Sequence, residues 1–156
     1  MDEAWSAGAS EYGIRLRRVF DAPRERVWRE WTDPESFADW YGGPEWEVPL
    51  SSVTMDVRPG GSLRLTMFGP PEDRRRIDWE GKYLEVQAPA RLVFAIRNAP
   101  GTADFEVVTV VLTDLGDGRT EMLFEQRGSM SPEQYERATE GWDAFFDRLK
   151  ERLTNA

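Results

Sequence analysis

The stretch that decides the fold is 131-SPEQYERATEGWDAFFDRLKERL-153. Ser131 can cap a helix start by accepting a backbone N–H, Pro132 fits the first helical position, and Gln134 completes an S-x-x-Q capping box. Tyr135, Ala138, Trp142, Phe145, Phe146, Leu149 and Leu153 recur at steps of three and four, so they share one face. Glu133, Glu136, Arg137, Glu140, Asp143, Arg148 and Glu151 fall largely elsewhere. The spacing predicts one helix, a rod roughly 33 Å long that crosses a whole small domain. Its apolar face needs a cover, and the rest of the chain must supply it.

Upstream, Thr120 to Arg127 reads as a strand released into the helix by Gly128, and Leu115-Gly116-Asp117-Gly118 is the turn before it. Val107 to Leu112 is apolar on both faces, which places it well inside a sheet. Leu92 to Ile96 and Ile77 to Val86 are further strands around the Ala88-Pro89-Ala90 turn, with a loop at Asn98 to Ala103. Val48 to Val57 and Leu63 to Met67 read as a hairpin closed by Arg58-Pro59-Gly60-Gly61, whose glycines suit a turn. That loop is not a phosphate site, because no helix start follows it.

The chain before this point begins with a strand at about 11–20. Pro23 then opens a short helix through Trp31, and Asp33-Pro34-Glu35 starts a second one carrying Phe37 and Trp40. Residues 1–10, small and polar apart from Trp5, read as a flexible arm, and 11–156 as a single domain. The order is strand, two short helices, six strands in hairpins and the long helix. It predicts an α+β fold in which an antiparallel sheet of about seven strands is covered by the C-terminal helix.

Composition narrows the function. The 156 residues include seven Trp, eight Phe and four Tyr, rings that fill cores or line pockets for apolar ligands. A net charge of −9 argues against a nucleic-acid partner. The one basic run, Arg74-Arg75-Arg76, sits beside Glu72 and Asp73 and reads as a solvated loop. Without Cys or His there is no disulfide, thiolate nucleophile, zinc knuckle or imidazole base. The acidic start has no leader character and no stretch approaches a membrane span, so membrane insertion is not expected and the cytoplasm is the expected location.

Several strings carry a resemblance. They are Phe20-Asp21-Ala22-Pro23 with Val27-Trp28, Trp31-Thr32-Asp33-Pro34, Trp40, and Asp56-Val57-Arg58-Pro59-Gly60-Gly61. Gly81 and Tyr83 before Pro89, Arg91-Leu92-Val93-Phe94, and Gly141-Trp142 with Leu149 complete the set. Their order and spacing over about 11–153 resemble the START-like, helix-grip superfamily, in the branch named after the activator of heat-shock protein 90 ATPase. The resemblance implies a curved sheet gripping the C-terminal helix around a cavity that takes apolar small molecules in many members. Members often carry His where Gln126 and Ala138 stand here, so His-dependent chemistry is not implied for this chain.

Candidate ligand contacts follow. On the helix they are Trp142, Phe145 and Phe146, a stripe that is either packed core or pocket wall. Trp28, Phe37, Trp40 and Trp46 form either the mouth of such a pocket or its plug. Met67, Trp79, Phe94 and Phe124 are the candidates from the sheet, although alternation alone leaves open which face is concave. Gln126 shares a face with Met122 and Phe124, and such an amide needs a partner when buried, from a ligand or a neighbouring side chain. Asp78, Glu80 and Glu125 are expected to point to solvent. No catalytic, metal or cofactor residue is assigned. The expected role is binding of a small hydrophobic or amphipathic molecule. Alternatives are a co-chaperone-like interaction module, with a chaperone or a second copy as partner, and a cyclase- or hydrolase-like enzyme on an aromatic or polyketide-like substrate. The last would need a carboxylate or phenol such as Glu80 or Tyr83.

Overall fold

The computed structural model describes residues 8–10, 13–98 and 105–154. The elements in chain order are β1 (Gly8–Ser10), β2 (Gly13–Phe20), α1 (Arg24–Thr32), α2 (Pro34–Trp40), a 3-10 turn (Leu50–Ser52), β3 (Thr54–Met55) and β4 (Ser62–Phe68). They continue with β5 (Arg76–Gln87), β6 (Arg91–Asn98), β7 (Glu106–Asp114), β8 (Thr120–Arg127) and α3 (Pro132–Thr154). One antiparallel sheet runs in the order β1-β2-β8-β7-β6-β5-β4-β3. This is the helix-grip arrangement, with the seven anticipated strands as β2 to β8.

Two local differences have physical causes. Gly8–Ser10, expected in the loose arm, pairs with β2 and extends the sheet by one short edge strand. Residues 1–7 lie outside the described residues, as do the expected strand start at 11–12 and most of the 98–103 loop. The expected strand over Val48–Val57 is reduced to β3 and a single bridge between Glu47 and Phe68. Pro49 has no N–H to offer a ladder. Ser52 takes over instead: its Oγ donates to the Pro49 carbonyl at 2.7 Å and accepts from the Thr66 N–H at 3.1 Å.

The capping box of α3 forms in both directions, with the Gln134 N–H donating to Ser131 Oγ at 3.2 Å and the Ser131 N–H donating to Gln134 Oε1 at 2.8 Å. Asp33 caps α2 through the Ser36 N–H at 3.0 Å. The sheet curves where its strands approach closely. A Cβ on Gly81 would stand 2.0 Å from the Ala95 carbonyl oxygen, so only glycine lets β5 approach β6 there. Two residues further on, a bulge between Tyr83 and Glu85 bends the same strand pair.

The concave face carries Ile14, Leu16, Leu63, Leu65, Met67, Phe94, Val108, Val110, Met122 and Phe124, all buried. Against it lie α1, α2 and α3. Ion pairs lock the helices together: Glu30, 2 % exposed, accepts from Arg152 Nε at 2.6 Å and Nη2 at 3.1 Å, while Asp39 pairs with Arg152 and, at 3.2 Å, with Arg148. The basic run is neutralised locally, with Arg74 on Glu47, Arg75 on Asp73 and Arg76 on Asp78.

Candidate functional site

The space between α3 and the sheet is filled at one end and open at the other. Trp31 plugs the filled end, with its ring centroid 4.9 Å from Trp40, 6.3 Å from Phe124 and 6.2 Å from Phe146. Phe37, Trp40, Phe94, Phe124 and Phe146 are all at most 3 % exposed and belong to this aromatic core. Toward the N-terminal half of α3 the packing opens into a cavity of about 430 Å³. Its volume lies at the smaller end of ordinary ligand pockets.

One wall of the cavity is α3, through Gln134, Ala138, Gly141, Trp142 and Phe145. The opposite wall is the sheet, through Met67, Trp79, Ile96, Glu106 and Gln126, while Tyr41 and Met130 complete the apolar lining. Asn98, Ser129 and Gln134 are exposed and mark its mouth. Gly141 explains part of the opening. A Cβ built on it would meet nothing within 4 Å, so a helix-interior glycine leaves space where any other residue would fill it.

The polar groups of the wall form one oriented chain. Trp142 Nε1–H, which can only donate, bonds Gln126 Oε1 at 2.8 Å. This fixes the amide, so Gln126 Nε2 donates to Glu106 Oε1 at 3.0 Å. The Tyr135 hydroxyl also donates to Glu106 Oε1 at 3.0 Å, and the Ser129 N–H reaches Glu106 Oε2 at 3.0 Å. Burial pushes the Tyr135 phenol up, and its acceptor Glu106 raises it further. Burial also pushes the Tyr41 phenol up. At the rim, Arg97 donates to Glu80 at 2.9 Å and lies over the Phe105 ring at 4.4 Å. Trp79 Nε1–H points at the Met67 sulfur at 3.0 Å.

Of the sequence candidates, Met67, Trp79, Gln126, Trp142 and Phe145 come together in the wall. Trp28 is half-buried against the core, and Trp46 is half-buried with the Arg75 guanidinium 5.9 Å from its ring. Tyr83 does not line the cavity, and its buried hydroxyl has no hydrogen-bond partner among the described residues. Glu106, Tyr135 and Gly141 were not among the candidate contacts read from sequence, although Tyr135 and Gly141 were named there for the helix stripe and the resemblance. Parity offered a signal for Glu106: it shares a face with Val108, Val110 and Leu112, so an acid begins an otherwise apolar inward row. Among the described residues no group of three or more acidic side chains gathers to hold a metal ion.

Residues 21–154 match the family model described as Activator of Hsp90 ATPase homolog 1-like protein. The chain belongs to that family. Solved structures are similar over nearly its whole length. A Chromobacterium violaceum protein is 26 % identical, with 91 % of this chain and 97 % of that one covered at a TM-score of 0.79. A Nitrosomonas europaea protein is 25 % identical, covering 94 % and 96 % at a TM-score of 0.75. A Mycobacterium smegmatis protein, at 20 % identity, shares the fold over 97 % and 96 % at a TM-score of 0.80. No curated protein matches the chain significantly. The family match takes in α1, α2, the sheet from β3 onward and α3, and with them every residue named in the cavity wall.

Proposed function

We propose that this member of the Activator of Hsp90 ATPase homolog 1-like family binds a small apolar or amphipathic molecule between sheet and helix. The observation that carries the reading is the open space beside Gly141. Glycine inside a helix costs about 0.5–1 kcal/mol relative to alanine, and here an alanine methyl would have room. The sequence thus forgoes both helix stability and packing at the cavity wall. Tyr41, Trp79, Trp142 and Phe145 provide rings for an apolar body, and Met67 an adaptable surface. The driving force would be burial of apolar area, at about 25 cal/mol per Å².

Native mass spectrometry of protein purified gently from its source tests this. The expected result is an adduct that solvent extraction releases as an apolar or amphipathic small molecule. The family's description also supports a second reading, an interaction with a chaperone of the Hsp90 type. A clean apoprotein mass, together with recovery of a stoichiometric chaperone complex from native lysate, would favour that reading over the first.

A further inference from the structure

We propose that the molecule taken into this cavity is an uncharged aromatic compound carrying a hydrogen-bond donor, a hydroxyl or an amide N–H, and not a carboxylate. The inference rests on the ligand-binding reading and narrows its chemistry. Glu106 is the acid in the wall, and both of its oxygens accept: Oε1 from Gln126 and Tyr135, Oε2 from the Ser129 N–H. Donors on both oxygens are the geometry of a carboxylate, so the wall carries a negative charge there, and Oε2, which accepts one of these bonds where Oε1 accepts two, has room for a further donor. Gln126 cannot turn to change this. Its oxygen is held by a donor-only indole and its nitrogen by Glu106, so the amide is locked from both ends.

The cation at the rim does not reverse the sign. Arg97 is engaged by the Glu80 carboxylate at 2.9 Å and stacks on Phe105, so its charge is already countered. An anionic guest would give up its water to face Glu106 across an apolar space, where repulsion between charges is stronger than in solvent. A hydroxyl or amide N–H would instead add a donor to the Glu106 carboxylate. Tyr41, Trp79, Trp142 and Phe145 suit a flat ring for the remainder of the guest.

Three probes of one shape separate these terms: 2-naphthol, 2-methoxynaphthalene and 2-naphthoate, titrated at pH 7 and read from the 15N–1H indole resonances of Trp79 and Trp142. Naphthol should bind about tenfold tighter than its methyl ether, the worth of one donated hydrogen bond, and naphthoate more weakly than either. In Glu106→Gln, which keeps the shape and removes the charge, the disadvantage of naphthoate should shrink about tenfold. The wild-type comparison stands even if that variant fails to fold. Naphthoate binding as tightly as naphthol, or the ether equalling naphthol, would overturn this inference and leave the binding reading intact. No saturable shift with any probe would overturn the binding reading and this inference with it.

Discussion

The indole N–H of Trp142 donates to the side-chain oxygen of Gln126 across 2.8 Å, joining α3 to β8 at the inner end of the cavity. Gln126 is 5 % exposed and Trp142 7 %, so neither group can turn to water if the other is removed. An unpaired buried partner costs about 1–3 kcal/mol. Trp142→Phe and Gln126→Met should each therefore be destabilising in urea unfolding. The double variant should lose less than the sum by about 1 kcal/mol, because the second change orphans nothing new. Strict additivity would show that the bond contributes no coupling.

Gly141 gives a prediction of opposite sign. Gly141→Ala should raise stability by about 0.5–1 kcal/mol, since the methyl enters open space and the helix gains propensity. Thermal unfolding measures this directly. A loss would mean that the space beside Gly141 is occupied by packed atoms.

The Glu30–Arg152 pair joins α1 to the last turns of α3. Arg152→Leu leaves the Glu30 carboxylate, 2 % exposed, without the guanidinium that holds both of its oxygens. Breaking a buried pair costs about 3–5 kcal/mol, and the 25 % exposure of the Arg152 side chain should bring the loss toward the lower end. Adding Glu30→Gln should recover part of the loss. A double variant no more stable than Arg152→Leu alone would contradict the explanation.

Tyr83 has a buried hydroxyl with no partner among the described residues, and burial, with the Asp56 charge, raises its phenol above the ordinary 10.0. The stability linked to a raised phenol is fully present below pH 10 and is lost as pH rises, because the unfolded chain ionises first. Tyr83→Phe should be neutral or slightly stabilising at pH 7. At pH 11 it should gain a further ~1.4 kcal/mol over the parent, the value of one pH unit. Equal urea midpoint shifts at both pH values would exclude the proposed origin of the alkaline loss.

The fold was legible because its signals are local. The S-x-x-Q cap, the three-and-four stripe from Tyr135 to Leu153 and the alternation of Val108, Val110 and Leu112 each act within a few residues. Pro49 was an available warning that Val48–Val57 would not run as one strand. The site was legible only in part. Trp142 and Phe146 sit on the same helical face, yet one borders the cavity and the other is sealed in the core. Trp31 from α1 stands 6.2 Å from both rings, but Trp40 from α2 adds a further ring against Phe146, whereas Trp142 meets Tyr41 and Phe145 of the cavity wall. No periodicity in α3 reports where a side chain from another element will stop. Glu106 and Tyr135 are 29 residues apart and meet only after β8 and α3 have folded back.

The most direct measurement is a titration of 15N-labelled protein with 2-naphthol, comparing the parent with Gly141→Leu. Of the seven tryptophans, Trp79 and Trp142 are placed in the cavity wall. The account predicts saturable shifts centred on those two indole N–H resonances in the parent. It also predicts their loss in Gly141→Leu, where a side chain from α3 occupies the space, with the remaining spectrum of a folded protein retained. No shift at Trp79 and Trp142 in the parent, or undiminished binding in the filled variant, would contradict a ligand site between sheet and helix.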